Sequence, residues 1–240
     1  KQHGRDVMFW GDIIMHNPEL IAELPKDITA LEWGYEANHP FEADTAKFQA
    51  AGVPFYVCPG TSSWNTFTGR TANMFGNIAS AARHGRNTGA AGLLMTDWGD
   101  GGHHQYWPLS WPGLTMAAGC AWNAAQPVDE ELLAAAVDRG FGASAAGASG
   151  LGAQLLELGR ICEEFTLQPH NRTLYYSQLF TPNWSVTKKT HAEITLDEAK
   201  NARRRLARWR RNFLNRPPRT DALVLRELDN LANFAELGID

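Results

Sequence analysis

The sequence has few of the residues that would mark a redox, metal-binding or membrane protein. It contains three cysteines, Cys58, Cys120 and Cys162, and no two of them have C-x-x-C spacing. An odd and scattered set of this kind predicts buried thiols, with neither a disulfide framework nor a zinc site. No apolar run approaches the roughly 20 residues that span a bilayer. We therefore expect no metal, no cofactor and no membrane partner.

The sequence also has no excess of positive charge, with 22 Lys and Arg against 26 Asp and Glu. The net charge is −4 and the isoelectric point is about 6.1, which does not favour nucleic acid as a partner. One basic run, Arg203 to Arg211, is flanked by acidic residues, so we interpret it as a solvated helix face or a contact with another part of the protein. The chain opens on Lys1 rather than Met and enters a strand-like segment almost at once. We expect the natural start to lie upstream, which leaves localisation open.

Tryptophan, by contrast, is abundant, with nine residues in the chain. Three of them, Trp10, Trp33 and Trp98, lie within two residues of an acidic residue near the end of a strand-like segment. A large flat aromatic ring can stack on the apolar face of a sugar, and neighbouring carboxylates can accept hydrogen bonds from its hydroxyl groups. This composition indicates a carbohydrate site.

The first 125 residues alternate short apolar runs with helical segments, a pattern typical of a parallel α/β sheet. The predicted strands are Asp6–Trp10, Asp27–Trp33, Val53–Cys58 and Ala90–Thr96. The predicted helices between and after them are Pro18–Leu24, Phe41–Ala51, Thr71–Gly85 and Trp111–Asn123. For the inner face of the second of these helices we expect Phe41, Ala46 and Phe48. Gly52 fits the position just after its end.

Four βα units do not close a barrel, which needs eight of them in roughly 200 to 250 residues. We therefore predict that residues 1–125 are the C-terminal half of a (β/α)8 TIM barrel, with a smaller doubly wound sheet as the alternative. The composition changes after Gln126-Pro127, and residues 126–240 are predicted to be a helical C-terminal region. Its predicted helices are Asp129–Arg139, Leu155–Phe165, a basic helix from the capping box Thr195–Glu198 to about Asn215, and Asp221–Leu237.

Aromatic and acidic residues follow each predicted strand. In parallel sheets and barrels, functional sites lie at the C-terminal ends of the strands. The segments are Trp10-Gly11-Asp12, Glu32-Trp33-Gly34-Tyr35-Glu36, Ser62-Ser63-Trp64-Asn65 and Asp97-Trp98-Gly99-Asp100. The period of two along a strand places Trp10 and Asp12 on one face, and likewise Trp98 and Asp100. This repeated Trp-x-acid arrangement suits an apolar sugar face with hydroxyl groups around it.

These segments resemble the β-N-acetylhexosaminidases of glycoside hydrolase family 20. In that family the fifth and sixth barrel strands carry a tryptophan and the eighth ends in Trp-Gly-Glu. Trp10, Trp33 and Trp98-Gly99-Asp100 match those places in order. The resemblance implies that the three tryptophans surround the N-acetyl group of the sugar in the −1 subsite, and that Asp100 binds its hydroxyl groups. It extends over roughly residues 6 to 124.

The sequence departs from the family at three points. Asp100 stands where the family has Glu, and Ser62–Asn65 occupies the loop where the family has a Tyr-x-Asp pair. The family's Asp-Glu pair, which orients the substrate acetamide and protonates the leaving oxygen, would precede Trp10, and no such pair occurs near Lys1. We therefore expect the general acid upstream of this chain and assign no catalytic residue within it. The predicted substrate-binding residues are Trp10, Asp12, Trp33, Glu36, Trp64, Asn65, Trp98 and Asp100.

Other interpretations of the same residues stay open. A different barrel glycosidase would use two carboxylates drawn from Asp12, Glu36, Asp97 and Asp100. They would lie about 5 to 5.5 Å apart for retention or about 6.5 to 9.5 Å apart for inversion. A carbohydrate-binding module without catalysis would need only the aromatic and acidic residues. The tryptophans could also be buried plugs, and the aspartates could be helix or turn caps. Besides a carbohydrate, the expected partner is the other half of the barrel or a second copy of the chain.

Overall fold

The structure, a computed structural model, describes residues 3–125, 128–141, 150–180 and 194–240. The predicted boundary at Gln126-Pro127 lies outside these residues. So does most of the segment Gly140–Gly152, whose content of alanine, glycine and serine predicts a loop or hinge. The chain divides into two compact units, each built from several stretches. Unit 1 comprises Lys1–Gly60, Phe75–Thr96 and Met116–Val128, and unit 2 comprises Thr61–Met74, Asp97–Thr115 and Asp129–Asp240.

Unit 1 contains a parallel sheet, as the alternation of strands and helices predicted. Its strands are β1 (Val7–Trp10), β2 (Ile28–Trp33), β3 (Phe55–Cys58) and β4 (Gly92–Leu93), and their order in the sheet is β1-β2-β3-β4. All three neighbouring pairs are parallel, with Val7 opposite Ile28 and Ala30 opposite Phe55. The fourth strand is shorter than predicted, because only an isolated bridge between Gly60 and Thr96 continues the pairing beyond Leu93.

The eight α-helices of the described residues match the predicted segments in most places. They are α1 (Phe41–Ala51), α2 (Thr71–Asn87), α3 (Trp111–Trp122), α4 (Glu130–Gly140), α5 (Leu151–Leu158), α6 (Leu174–Phe180), α7 (Leu196–Asn215) and α8 (Ala222–Ile239). Short 3-10 turns cover Ile14–His16, Pro18–Glu23, Asp100–Gly102, Trp107–Ser110 and Ile161–Glu164. Among the described residues, no helix has the length and apolar character to cross a membrane.

The core of unit 1 forms where α1 packs on the sheet. Phe41 and Phe48 are buried with Ala30 and Phe55 of the neighbouring strands. Gly52 ends α1 with φ 65°, and its N–H is bonded to the carbonyls of Gln49 and Phe48, which confirms the predicted helix end.

The predicted inner face of α1 was wrong at one position. Ala46 is exposed and Thr45 is buried in its place. Positions four and seven residues after Phe41 share its face of the helix, which selects Thr45 and Phe48 rather than Ala46.

The bounds of α5 differ from those of the helix predicted for this part of unit 2. A helix was expected from Leu155 to Phe165, but α5 ends at Leu158, and a separate 3-10 turn follows. Its N-terminal part includes Gly152, which we had placed in a loop. A Cβ on Gly152 would lie 2.2 Å from the carbonyl oxygen of Ala134 in α4. The glycine therefore permits close helix packing instead of marking a loop.

The ends of α7 and α8 follow their capping residues. Thr195 and Glu198 form the predicted capping box of α7, and Asp221 caps α8 through the backbone N–H of Leu223. Leu228 and Leu231 of α8 are buried, whereas Leu223 is exposed.

Arginines of the basic run pair with acids of neighbouring segments in unit 2. The ion pairs are Arg203 with Asp240, Arg205 with Glu157 and Glu164, and Arg210 with Asp229.

Candidate functional site

In unit 1 the ends of β1 and β2 bring together two of the predicted site residues. The indole Nε1 of Trp33 donates a hydrogen bond to Oδ1 of Asp12, 3.2 Å away. The ring of Trp33 stacks on Tyr35, with centroids 4.8 Å apart and an angle of 23° between the planes. Asp12 follows β1 in a turn, so the strand period does not set its direction. Asp12 instead fixes the orientation of the Trp33 ring.

Trp10, the last residue of β1, is 40% exposed. Its predicted role in stacking on a sugar stays a prediction. Glu36 is half-buried beyond the end of β2, and its backbone carbonyl accepts a hydrogen bond from Asn77.

Asn77 was missed by the sequence analysis, although it joins the ends of two strands. Its Nδ2 donates to the carbonyls of Gly34 and Glu36, at 2.8 and 2.9 Å, and its Oδ1 accepts from the N–H of Gly60 at 3.0 Å. The side chain is fully buried in α2. Asparagine is unfavourable inside a helix. This was the only sequence signal that the side chain of Asn77 forms hydrogen bonds outside α2.

Glu32 lies on the opposite face of β2 from Trp33 and is buried against the start of α1. Its Oε1 is 3.0 Å from Nε2 of His39, which is 3.9 Å from Oδ2 of Asp44. Burial raises the pKa of the Glu32 carboxyl, and the hydrogen bond from His39 opposes that rise. Glu32 is therefore a buried carboxyl of the protein interior, hydrogen-bonded to His39.

The donor atoms of Glu32, His39 and Asp44 all lie within 4.8 Å of one another, a spacing that a metal ion could bridge. Imidazole and carboxylate are suitable ligands for several divalent metals. However, Nζ of Lys47 is 2.8 Å from Oδ1 of Asp44 and already supplies positive charge. The hydrogen bonds and ion pairs account for the group, and we assign no metal to it.

In unit 2 the loop that follows β3 is buried along its whole length, from Thr61 to Arg70. Trp64 is 1% exposed and Asn65 is 5% exposed. Neither side chain offers a surface to a ligand in this conformation, and their predicted role in binding substrate stays a prediction. Asn65 instead contributes to the protein interior, where its backbone carbonyl accepts the N–H of Thr173 at 3.1 Å.

Asp97, the first residue of the last aromatic segment, is held by three hydroxyl groups. Its Oδ1 accepts from Thr61 Oγ1 at 2.6 Å and from Ser63 Oγ at 2.8 Å, and its Oδ2 accepts from Ser110 Oγ at 2.8 Å. A carboxylate that accepts three hydrogen bonds is anchored in place. Asp97 therefore joins three segments of the chain, and its use by a different glycosidase stays a prediction.

Asp100 is exposed, and it begins the tight turn Asp100–Gly102. The carbonyl of Gly99 accepts hydrogen bonds from the N–H groups of Gly102 and His103, at 3.2 and 3.1 Å. Because the segment is a turn rather than a strand, the strand period does not place Trp98 and Asp100 on one face. The carboxylate of Asp100 is presented on a short and hydrogen-bonded loop.

The two adjacent histidines after this turn have different neighbours. The ring of His103 lies 5.9 Å from that of Trp107, which is exposed. The ring of His104 stacks on Phe180 at 4.0 Å, and its Nδ1 is 3.0 Å from the hydroxyl of Tyr176. The two rings therefore contact different parts of unit 2.

A cavity of about 450 Å³ lies in unit 1 beside β4, α2 and α3. Its lining includes Val57, Gly85, Leu93, Cys120 and Trp122. None of the predicted substrate-binding residues borders it.

Burial raises the pKa of Cys58 and Cys162 to about 12, so these thiols are protonated and poor nucleophiles at neutral pH.

No protein-family model matches the chain. No curated protein matches it either.

Proposed function

We propose that this chain is part of a glycoside hydrolase that cleaves β-linked N-acetylhexosamine or related sugars, with a fold that is one half of a (β/α)8 barrel. The hydrogen bond between Trp33 and Asp12 carries the proposal. It joins the aromatic and acidic residues that follow two successive parallel strands, where barrel enzymes have their active sites. The resemblance to family 20 supplies the chemistry, with Trp10 and Trp33 beside the N-acetyl group.

The topology supports a barrel over a doubly wound sheet. The strands follow one another in the order β1-β2-β3-β4 without reversal, as successive strands of a barrel do. A doubly wound sheet has a point where the strand order reverses. Apolar side chains of the edge strand β1, Val7 and Met8, are exposed. A further strand, from the other half of the barrel or from a second copy, would cover them.

In this account Asp100 binds ring hydroxyl groups. Its exposed carboxylate accepts hydrogen bonds only, as suits a ligand rich in hydroxyl groups. Asp12 orients Trp33, whose indole packs against the acetamido methyl group. The substrate's own acetamide attacks the anomeric carbon, while an acid from outside this chain protonates the leaving oxygen. The chain alone is then expected to bind sugar without cleaving it.

Binding of N-acetylglucosamine to the 240-residue chain tests the proposal. We expect saturable binding in the wild type, which Trp33→Ala abolishes. Trp122→Ala is the matched control, because Trp122 is 92% exposed in α3 and belongs to no predicted site. Unchanged binding by Trp33→Ala would exclude the proposed subsite.

Turnover separates the proposal from its alternatives. Cleavage of an aryl N-acetyl-β-glucosaminide by the chain alone would favour a different glycosidase, one that uses carboxylates within the chain. Binding without cleavage, even when the upstream coding region is included, would favour a carbohydrate-binding module.

A further inference from the structure

The loop that carries Asp100 is fixed on both sides of the exposed carboxylate. Before it, Asp97 is held by three hydroxyl groups, and the carbonyl of Trp98 accepts a hydrogen bond from Nε2 of Gln105 at 2.7 Å. Gln105 is itself buried. After it, Gly101 and the residues that follow lie against the helical part of unit 2. The conformation of Asp100 therefore depends on what holds Gly101.

Gly101 lies directly against two polar side-chain atoms from distant parts of the sequence. A Cβ at this position would be 3.0 Å from the hydroxyl oxygen of Tyr176 and 3.2 Å from Oδ1 of Asn65. Gly101 also has φ +70°, a conformation that favours glycine. Tyr176 and Asn65 thus form the surface on which the Asp100 turn rests.

The Tyr176 side chain belongs to α6 and is 1% exposed. Its ring packs 5.1 Å from that of Phe67, and its hydroxyl is 3.0 Å from Nδ1 of His104. Just before α6, the N–H of Thr173 is bonded to the carbonyl of Asn65. One short helix therefore holds both the residue beneath Gly101 and the histidine that follows the turn.

The electrostatics of the phenol agree with this geometry. Burial raises the pKa of Tyr176, the Arg172 guanidinium opposes the rise, and the Asp100 carboxylate adds to it. The phenol is therefore neutral at physiological pH and has a proton to donate to His104. The carboxylate of Asp100 is near enough for its charge to act on the phenol.

We propose that Tyr176 is a positioning residue for Asp100, so that α6 helps to orient a carboxylate to which the resemblance assigns the binding of sugar hydroxyl groups. The hydroxyl group of Tyr176 holds His104 and supports Gly101, and through them it sets the direction of the Asp100 carboxylate. The positioning itself is a property of the fold. Its consequence for sugar binding rests on the proposed function.

Hydrogen exchange tests the positioning without any ligand. Tyr176→Phe removes the hydroxyl and keeps the ring that packs on Phe67. We expect the amides of Gly102 and His103 to exchange about fivefold faster, the ratio that corresponds to one ordinary hydrogen bond. Tyr175→Phe is the matched control, because Tyr175 is equally buried in the same helix and its hydroxyl is bonded to Thr68. Equal exchange rates of the Gly102 and His103 amides in Tyr176→Phe and Tyr175→Phe would overturn the proposal.

A double-mutant cycle with N-acetylglucosamine then tests the consequence. Tyr176→Phe should weaken binding about fivefold when Asp100 is present, and it should have no effect in an Asp100→Ala background. A purely structural loss would weaken binding equally in both backgrounds and would contradict a role through Asp100. If the wild-type chain binds no sugar while the exchange result holds, the proposed function fails and the positioning of the turn stands.

Discussion

The indole N–H of Trp33 lies 3.2 Å from Oδ1 of Asp12, so two strand ends are joined by one hydrogen bond between residues 21 positions apart. Asp12→Ala removes the acceptor and should free the Trp33 ring to turn. The indole N–H resonance of Trp33 should shift and exchange faster. Stability should fall by about 0.5–1.5 kcal/mol, as for one hydrogen bond. Asp12→Asn keeps an acceptor oxygen at this position and should lose less stability than Asp12→Ala. An unchanged Trp33 indole resonance in Asp12→Ala would refute the orienting role of Asp12.

The raised pKa of Glu32 predicts a pH dependence of stability. Because the pKa of the carboxyl is raised above its ordinary value of 4.5 in the folded state, its contribution is fully present below pH 4.5 and is lost as the pH rises through the folded-state pKa. His39, Asp44 and Lys47 are the titratable groups around it.

Glu32→Gln replaces the carboxyl with a neutral amide, whose oxygen can still accept a hydrogen bond from His39. It should be more stable than the wild type at pH 8, and the difference should shrink toward pH 4.5. Urea unfolding at several pH values measures this difference. A variant that is less stable at pH 8 would show that the ionised pair with His39 outweighs the cost of burial.

Asp97 is predicted to be structural. Asp97→Ala leaves the hydroxyls of Thr61, Ser63 and Ser110 without their shared acceptor and should cost about 1–3 kcal/mol in the free energy of unfolding. Ser63 also lies near Thr61 and Ser110, at 2.8 and 2.9 Å, which limits the loss. Urea unfolding measures the change. Wild-type stability of the Asp97→Ala variant would contradict this structural role.

The capping box of α7 predicts an acid-sensitive helix. Hydrogen bonds from the backbone N–H groups of Thr195 and Thr166 lower the pKa of Glu198 to about 2. The stabilisation is therefore present above pH 4.5 and is lost as the pH falls from there toward 2. Glu198→Gln should show a smaller loss of helical circular dichroism over this range. Identical titration curves for the two proteins would contradict the assignment.

Much of the fold could be predicted because it follows local rules. The strands and α1 follow hydrophobic periodicity, and α7 and α8 begin at side chains that cap their own first turns. The short helix α6 escaped prediction, and so did the burial of Trp64. Both depend on contacts such as Thr173 with Asn65, which join residues more than one hundred positions apart.

The candidate site was predicted by residue type but not by arrangement. Tryptophans and acids marked the loops after the strands, yet nothing local distinguishes Asp97, held by hydroxyl groups, from the exposed Asp100 three residues later. The difference arises from Thr61, Ser63 and Ser110, which the fold brings to one carboxylate and not to the other. Tyr176 carried no signal, because its role comes from its place beneath Gly101.

The discrimination between N-acetylglucosamine and glucose tests the central claim most directly. Both sugars offer ring hydroxyl groups, but only the first has the acetamido group that Trp10 and Trp33 are proposed to contact. Titration of the 240-residue chain with each sugar, followed by tryptophan fluorescence and by the indole N–H resonances, gives the two affinities. The account predicts clearly tighter binding of N-acetylglucosamine, with Trp33 among the resonances that shift. Equal affinities, or binding of neither sugar, would contradict it.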